Sequence, residues 1–283
     1  MEVYRTICLC LRTAEDFELI AYELAAELAR QNCLYAEVSF TPALHARRGV
    51  AQATYLDGLS RARERARHTL GVEIAWVFDI ARAMRGGAGE TMRWADYTVG
   101  VAIEAMPSAV IALGLGGPEA GFPPAPFARF FAHARAAGLR SFPHAGELAG
   151  PASIRGALDF LGAERLAHGV RAIEDPALVE ELARRRIGLD LCPTSNLRLG
   201  VYPSLADHPL ARLRALDVAI TVNSDDPALF DTTLDDEVAT LADPLGLDVA
   251  AIDEILLNGL RHSFLPEPLK RQMEGTYRAE MHP

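Results

Sequence analysis

The chain has 283 residues, 50% of them apolar and 23% charged, enough material for a large core in one domain or two. Its 38 acidic side chains outnumber its 28 basic ones, and the net charge of -10 is the wrong sign for binding phosphate backbones or anionic lipid. The four cysteines, Cys8, Cys10, Cys33 and Cys192, form neither a C-x-x-C pair nor a disulfide framework, so buried thiols in a reducing compartment are expected. No apolar run reaches the roughly 18 residues a membrane span needs, and the start MEVYRTICLCLRTAEDF lacks a signal-peptide pattern, which predicts a cytoplasmic protein.

In chain order, short apolar, β-rich runs alternate with longer segments of helical period. Strands are predicted at 34–40, 73–78, 109–114, 140–144, 165–167, 188–191 and 219–223. Helices are predicted at 17–30, 55–69, 126–137, 175–186 and 210–216, and after the last strand at 234–241, 249–260 and 267–278. Alternation of this kind builds a parallel sheet covered by helices. The Gly/Pro-rich stretch GLGGPEAGFPPAP, from Gly114 to Pro126, reads as a shaped loop joining a strand to a helix rather than as a domain boundary, so residues 1–283 are expected to form a single domain. Seven β/α repeats are one short of a (β/α)8 TIM barrel, whose usual size is about 250 residues.

In such a barrel the reactive side chains sit where strands end and loops begin. Those positions hold Glu37, Asp79, His144 and Glu147 of SFPHAGE, His168 of LAHG, Cys192 to Asn196 of CPTSN, and Asp225 and Asp226 of VNSDDP. Each alone has an ordinary explanation as a satisfied polar group or a turn. Their recurrence at the same end of successive strands points to a site. Two imidazoles and a carboxylate suit zinc, which in catalytic sites keeps a position for water and lowers its pKa from about 15.7 to about 7. Glu147 is then placed to act as an acid toward the substrate. CPTSN offers no thiol nucleophile with a partnered histidine; it reads as a turn, with Ser195 and Asn196 bracing the site. Arg61, Arg63, Arg65 and Arg67 read as solvated surface charge.

The motifs SFPHAGE, RLAHG, CPTSN and TVNSDDP, in this order and spacing, resemble the adenosine deaminase family, a metal-dependent branch of the amidohydrolase barrels. The similarity runs from about Tyr35 to Pro266. It implies a TIM barrel of the metal-dependent hydrolase type that replaces the 6-amino group of a purine nucleoside by oxygen, releasing ammonia, with one Zn2+ per chain. A small purine is the implied partner, with no nucleic acid and no membrane. The resemblance implies that His144 and Asp225 bind the metal, that Glu147 passes a proton to purine N1, and that His168 positions and polarises the attacking water. It implies that Asp226 hydrogen-bonds purine N7 and that the Gly117 N–H reaches N3.

Members of the family also carry a His-x-His metal pair on the first barrel strand, and no two of the eight histidines here are separated by one residue. Together with the missing eighth strand, this reads as a chain lacking the first β/α unit: a late start, a truncated piece, or a shortened protein that holds zinc weakly. GLGGPE has Gly114 and Pro118 where the family more often has acids, and LAHG has Ala167 where glycine is common, which leaves adenine and aminodeoxyfutalosine open beside adenosine. A non-catalytic descendant that binds a purine or a partner is the alternative of a different class. A two-metal amidohydrolase bridged by a carboxylated lysine is disfavoured, since the only lysine is Lys270, far from any predicted strand end.

Overall fold

A computed structural model describes residues 2–281. All seven predicted strands are present: β1 (Tyr35–Phe40), β2 (Glu73–Ala81), β3 (Val110–Gly116), β4 (Arg140–Ala145), β5 (Arg165–His168), β6 (Gly188–Leu191) and β7 (Ile220–Val222). Every neighbour pairs in parallel, in the order of the chain. The molecule divides into two compact units, one running to Pro143 with the addition of Gly156–Ala163, the other comprising His144–Arg155 and the chain from Glu164 onward.

In the first unit, β2 is buried almost throughout, from Ile74 to Ile80, as a strand covered on both faces should be. It pairs Tyr35↔Glu73 through Phe40↔Phe78 with β1 and, after a register shift at Trp76/Val77, with β3. The helix Ala14–Arg30 starts where Thr13 and Asp16 form a reciprocal capping box. Its buried Phe17 meets Phe40, Tyr55 and the His45 ring, while Phe40 stacks on His45 at 5.0 Å. That cluster ties the helix, β1 and the helix Gln52–Thr69 into one core.

In the second unit, His144 and Ala145 at the end of β4 pair with Ala167 and His168 of β5; β6 and β7 follow. Asp175 caps the helix Pro176–Arg185 through the amides of Ala177 and Leu178, with Pro176 at the first helical position. A second capping box, Thr233 with Asp236, opens the helix Leu234–Ala242. The helix Val249–His262, capped by Asp248, packs on β7, and among the described residues no strand follows.

Four expectations are corrected. CPTSN is not a turn: Pro193 starts a helix over Pro193–Arg198, a six-residue element too short to show a period in the sequence. Several further helices escape the sequence reading, among them Glu2–Cys10, Pro151–Phe160 and Ala88–Glu104, the last because its buried face mixes Thr91, Ala95, Thr98, Val99 and Ala102 rather than large apolar side chains. Of the arginines on the helix Gln52–Thr69, Arg67 is exposed as expected, while Arg61, Arg63 and Arg65 are also partnered. Arg61 donates to Glu18 at 2.7 Å, Arg63 to the Ile74 carbonyl at 2.9 Å with Glu73 beside it, and Arg65 lies over the Tyr22 ring at 3.6 Å. Of the cysteines, all of them free, only Cys8 and Cys192 are buried; Cys10 is exposed and Cys33 half-buried. His282 lies outside the described residues.

Candidate active site

His144 is carried by the last residues of β4, and Glu147 by the loop that follows. Between them Gly146 has a φ of +77°, and a Cβ there would lie 2.4 Å from Ile154 Cδ1, so only glycine makes this turn. The β5 loop clamps it from the other side: the Gly169 amide donates to the Ala145 carbonyl at 2.8 Å, and the Arg171 amide to the Gly146 carbonyl at 2.9 Å. Glu147 is thereby aimed at His168, with Oε1 3.9 Å from His168 Nδ1. The His144 and His168 rings lie 5.3 Å apart, inclined at 48°.

His168 ends β5, is 3% exposed and has a φ of +67°. Its buried Nδ1 makes no hydrogen bond. Asp225, in the loop after β7, has a φ of +56°. Left-handed backbone at two non-glycine residues of one cluster is strain of the kind that surrounding structure retains at functional sites. The Ser195 hydroxyl donates to Asp225 Oδ2 at 2.6 Å, which orients that carboxylate. Ser195 therefore braces the site as expected. Asn196 is paired instead with His208: Leu210 N–H donates to His208 Nδ1, so His208 Nε2–H donates to Asn196 Oδ1 at 3.1 Å. Crowding by protein and the Asp225 charge push the Asp226 carboxyl up to about 6, with His168 opposing.

Among the described residues, one group of side chains stands close enough to share a metal ion: His168, Cys192 and Asp225, with ligand atoms within 4.8 Å of one another. With the His144 ring beside His168, the second unit offers nitrogen, oxygen and sulfur donors, a set that fits a borderline divalent cation such as zinc. Cys192 is the member the sequence reading placed outside the chemistry. The signal was present, since Cys192 directly follows β6 as Asp225 follows β7 and His168 closes β5. Lys270 offers no metal bridge; its ammonium donates to the Arg261 carbonyl at 2.8 Å on the last helical pair.

Gly117 belongs to the first unit, with a φ of +96° that suits glycine. The loop around it is held from beneath by Arg82, which is 1% exposed and donates from its backbone to the Gly116 carbonyl at 2.8 Å and from its guanidinium to the Phe122 carbonyl at 2.7 Å. Glu119 and Asp79 are buried in the same unit, and Asp79 Oδ1 lies only 1.7 Å from where a Cβ on Gly114 would be. The glycine at 114 makes room for Asp79. Glu37 is occupied as a structural acceptor from the Tyr35 hydroxyl at 2.9 Å.

A cavity of about 280 Å³ in the second unit opens beside Glu147, lined also by Leu148, Arg171, Glu174 and Tyr202. A larger cleft of about 460 Å³ in the first unit, lined by Leu9, Arg12, Arg48 and Thr54, holds none of these residues. No helix among the described residues is long and apolar enough to cross a membrane.

Residues 1–277 match the family described as adenosine deaminase. The aminodeoxyfutalosine deaminase of Streptomyces coelicolor is 39% identical over 275 residues, 96% of this chain and 70% of that protein. The adenine deaminase of Rhodospirillum rubrum is 38% identical over 277 residues, 97% of this chain and 80% of that protein. The crystal structure of the adenine deaminase from Arthrobacter aurescens superposes with a TM-score of 0.88 at 32% identity, covering 95% of this chain and 80% of that one.

Proposed function

The chain belongs to the adenosine deaminase family and is a hydrolytic enzyme of that kind; from this premise we propose that it replaces the 6-amino group of a purine compound by oxygen, in the cytoplasm, with one zinc ion. The observation that carries the reading is Glu147 Oε1 standing 3.9 Å from His168 Nδ1 in one compact unit with Asp225 and His144. His144 and Asp225 would hold the zinc, which when bound supplies a water ionised near neutral pH.

The chain's own residues do the rest. His168 orients the attacking water and takes up its proton. Glu147 holds the proton destined for ring N1, which removes aromatic stabilisation as the water oxygen bonds to C6. The C6–N6 bond then breaks, ammonia leaves with the proton that His168 returns, and the proton left on the C6 oxygen goes to Glu147 as the carbonyl forms. Asp226 meets N7, orienting the ring. Ser195 holds the Asp225 carboxylate in one orientation, a support worth 10–100-fold in metal affinity at comparable sites.

The named relatives nominate adenine and aminodeoxyfutalosine beside adenosine as substrates. The test is zinc content together with ammonia release and loss of the 6-aminopurine ultraviolet band for each of the three. Near-stoichiometric zinc and turnover of one of them support the reading; a folded, zinc-loaded protein that releases ammonia from none overturns it.

A further inference from the structure

We propose that Arg171, locked by Glu174, is a positioning residue for Glu147: it fixes the loop on which Glu147 stands, and with it the place of the proton bound for ring N1. This role rests on the reading of Glu147 as the carrier of that proton. Residues 146–150 lie outside helix and strand, so the loop depends on its neighbours for its shape. One residue after β5 holds it on both flanks of Glu147. The Arg171 amide donates to the Gly146 carbonyl at 2.9 Å, and its guanidinium donates through Nη1 to the Leu148 carbonyl, also at 2.9 Å.

The guanidinium is itself held in place. Arg171 and Glu174 stand three residues apart on the 3-10 turn Val170–Glu174, where side chains at that spacing lie one above the other. Nε donates to Glu174 Oε1 at 2.6 Å and Nη2 to Oε2 at 3.1 Å, a two-pronged pairing that leaves Nη1 for Leu148. Gly150 closes the loop against this pair: a Cβ there would lie 3.2 Å from Glu174 Oε2 and 3.6 Å from Arg171 Nη2. Positions 146, 148 and 150 thus all rest on one arginine and its partner. The same pair lines the cavity beside Glu147. Its side chains are 32% and 41% exposed, and ion pairs that open to solvent add little stability. The effect falls on geometry instead, where a misplacement of about 1 Å at a reacting group can cost about 10²-fold in rate.

The test compares zinc-loaded Arg171→Ala, Glu174→Gln, Glu147→Gln and the double variant Arg171→Ala/Glu147→Gln. Each is assayed on whichever of adenine, adenosine and aminodeoxyfutalosine the wild type deaminates, and amide hydrogen exchange of residues 145–150 is followed alongside. Arg171→Ala should lower kcat by about 10²-fold, with KM and melting temperature close to wild type. Exchange over 145–150 should quicken by about tenfold, the loss of one charge-assisted hydrogen bond. Glu174→Gln should act in the same direction to a smaller extent, and it carries the test if Arg171→Ala does not fold. In the Glu147→Gln background Arg171→Ala should cost nothing further, because it acts through that carboxyl alone. Wild-type kcat in Arg171→Ala or in Glu174→Gln, unchanged exchange, or losses that multiply in the double variant overturn the role. If exchange quickens as stated but Glu147→Gln deaminates normally, or the wild type deaminates none of the three, the proposed function fails and the hold of Arg171 on the loop stands.

Discussion

Two charged clusters, one in each unit, are built in opposite ways. On the helix Gln52–Thr69 of the first unit, Arg61 meets Glu18, Glu15 and Asp57, and each group stands on regular helix, partly open to solvent. At the ends of β4 to β7 in the second unit, Glu147 and Asp225 stand on loops and His168 on the last residue of β5, two of the three with left-handed backbone, and His168 is buried beside a carboxylate 3.9 Å away. The first arrangement satisfies every charge at little conformational cost and adds little stability, as surface ion pairs do. The second leaves the buried His168 Nδ1 without a hydrogen bond, a condition that lowers stability and leaves it available to a ligand. Charge alone marks neither; the backbone and the partners separate a structural cluster from a reactive one.

If that contrast is sound, substitutions in the two places act on different observables. Glu147→Gln removes the proton donor while keeping the shape, and turnover should fall by about 10²–10⁴-fold with the melting temperature nearly unchanged. Turnover near normal would end the assignment. Phe17→Ala in the first unit should do the reverse. Its side chain is fully buried against Phe40, His45 and Tyr55, so denaturant unfolding should show a loss of about 3–5 kcal/mol, with the activity of the remaining folded protein retained.

Both units should weaken in acid, and by the same mechanism. Burial lowers His45 in the first unit and His208 in the second from 6.5 to about 4, and His262 likewise. The unfolded chain then binds more protons than the folded one between those values, so the stability these groups contribute is complete above pH 6.5 and is lost as pH falls toward 4. Melting temperature followed over that range should drop, and His208→Gln should flatten the drop. The smallest effect belongs to the arginine cluster: Arg61→Gln should leave both activity and melting temperature close to wild type. A large loss there would mean that the helix pair depends on its charges rather than on Phe17.

Much of the fold was legible from periodicity. The seven strands fall within a few residues of their predicted places, and β6 at Gly188–Leu191 matches residue for residue, because a buried strand is a short apolar run bounded by polar residues. The helix Ala88–Glu104 was not legible, since its small and β-branched buried residues blur the helical period, and neither was Pro193–Arg198, which is too short to have one.

The site divides along the same line. From the sequence alone came the identity and order of His144, Glu147, His168, Asp225 and Asp226, for residues at strand ends are placed by counting strands. Only the tertiary structure decided which donors face one another. It set Cys192 within 4.8 Å of His168 and Asp225, turned Ser195 to hold the Asp225 carboxylate at 2.6 Å, and laid Asp79 over Gly114. Position along the chain is a one-dimensional property that hydrophobic pattern encodes. Which side chain meets which across neighbouring strands depends on register, left-handed backbone at His168 and Asp225, and the room that Gly146 and Gly114 leave, none of which any single segment specifies.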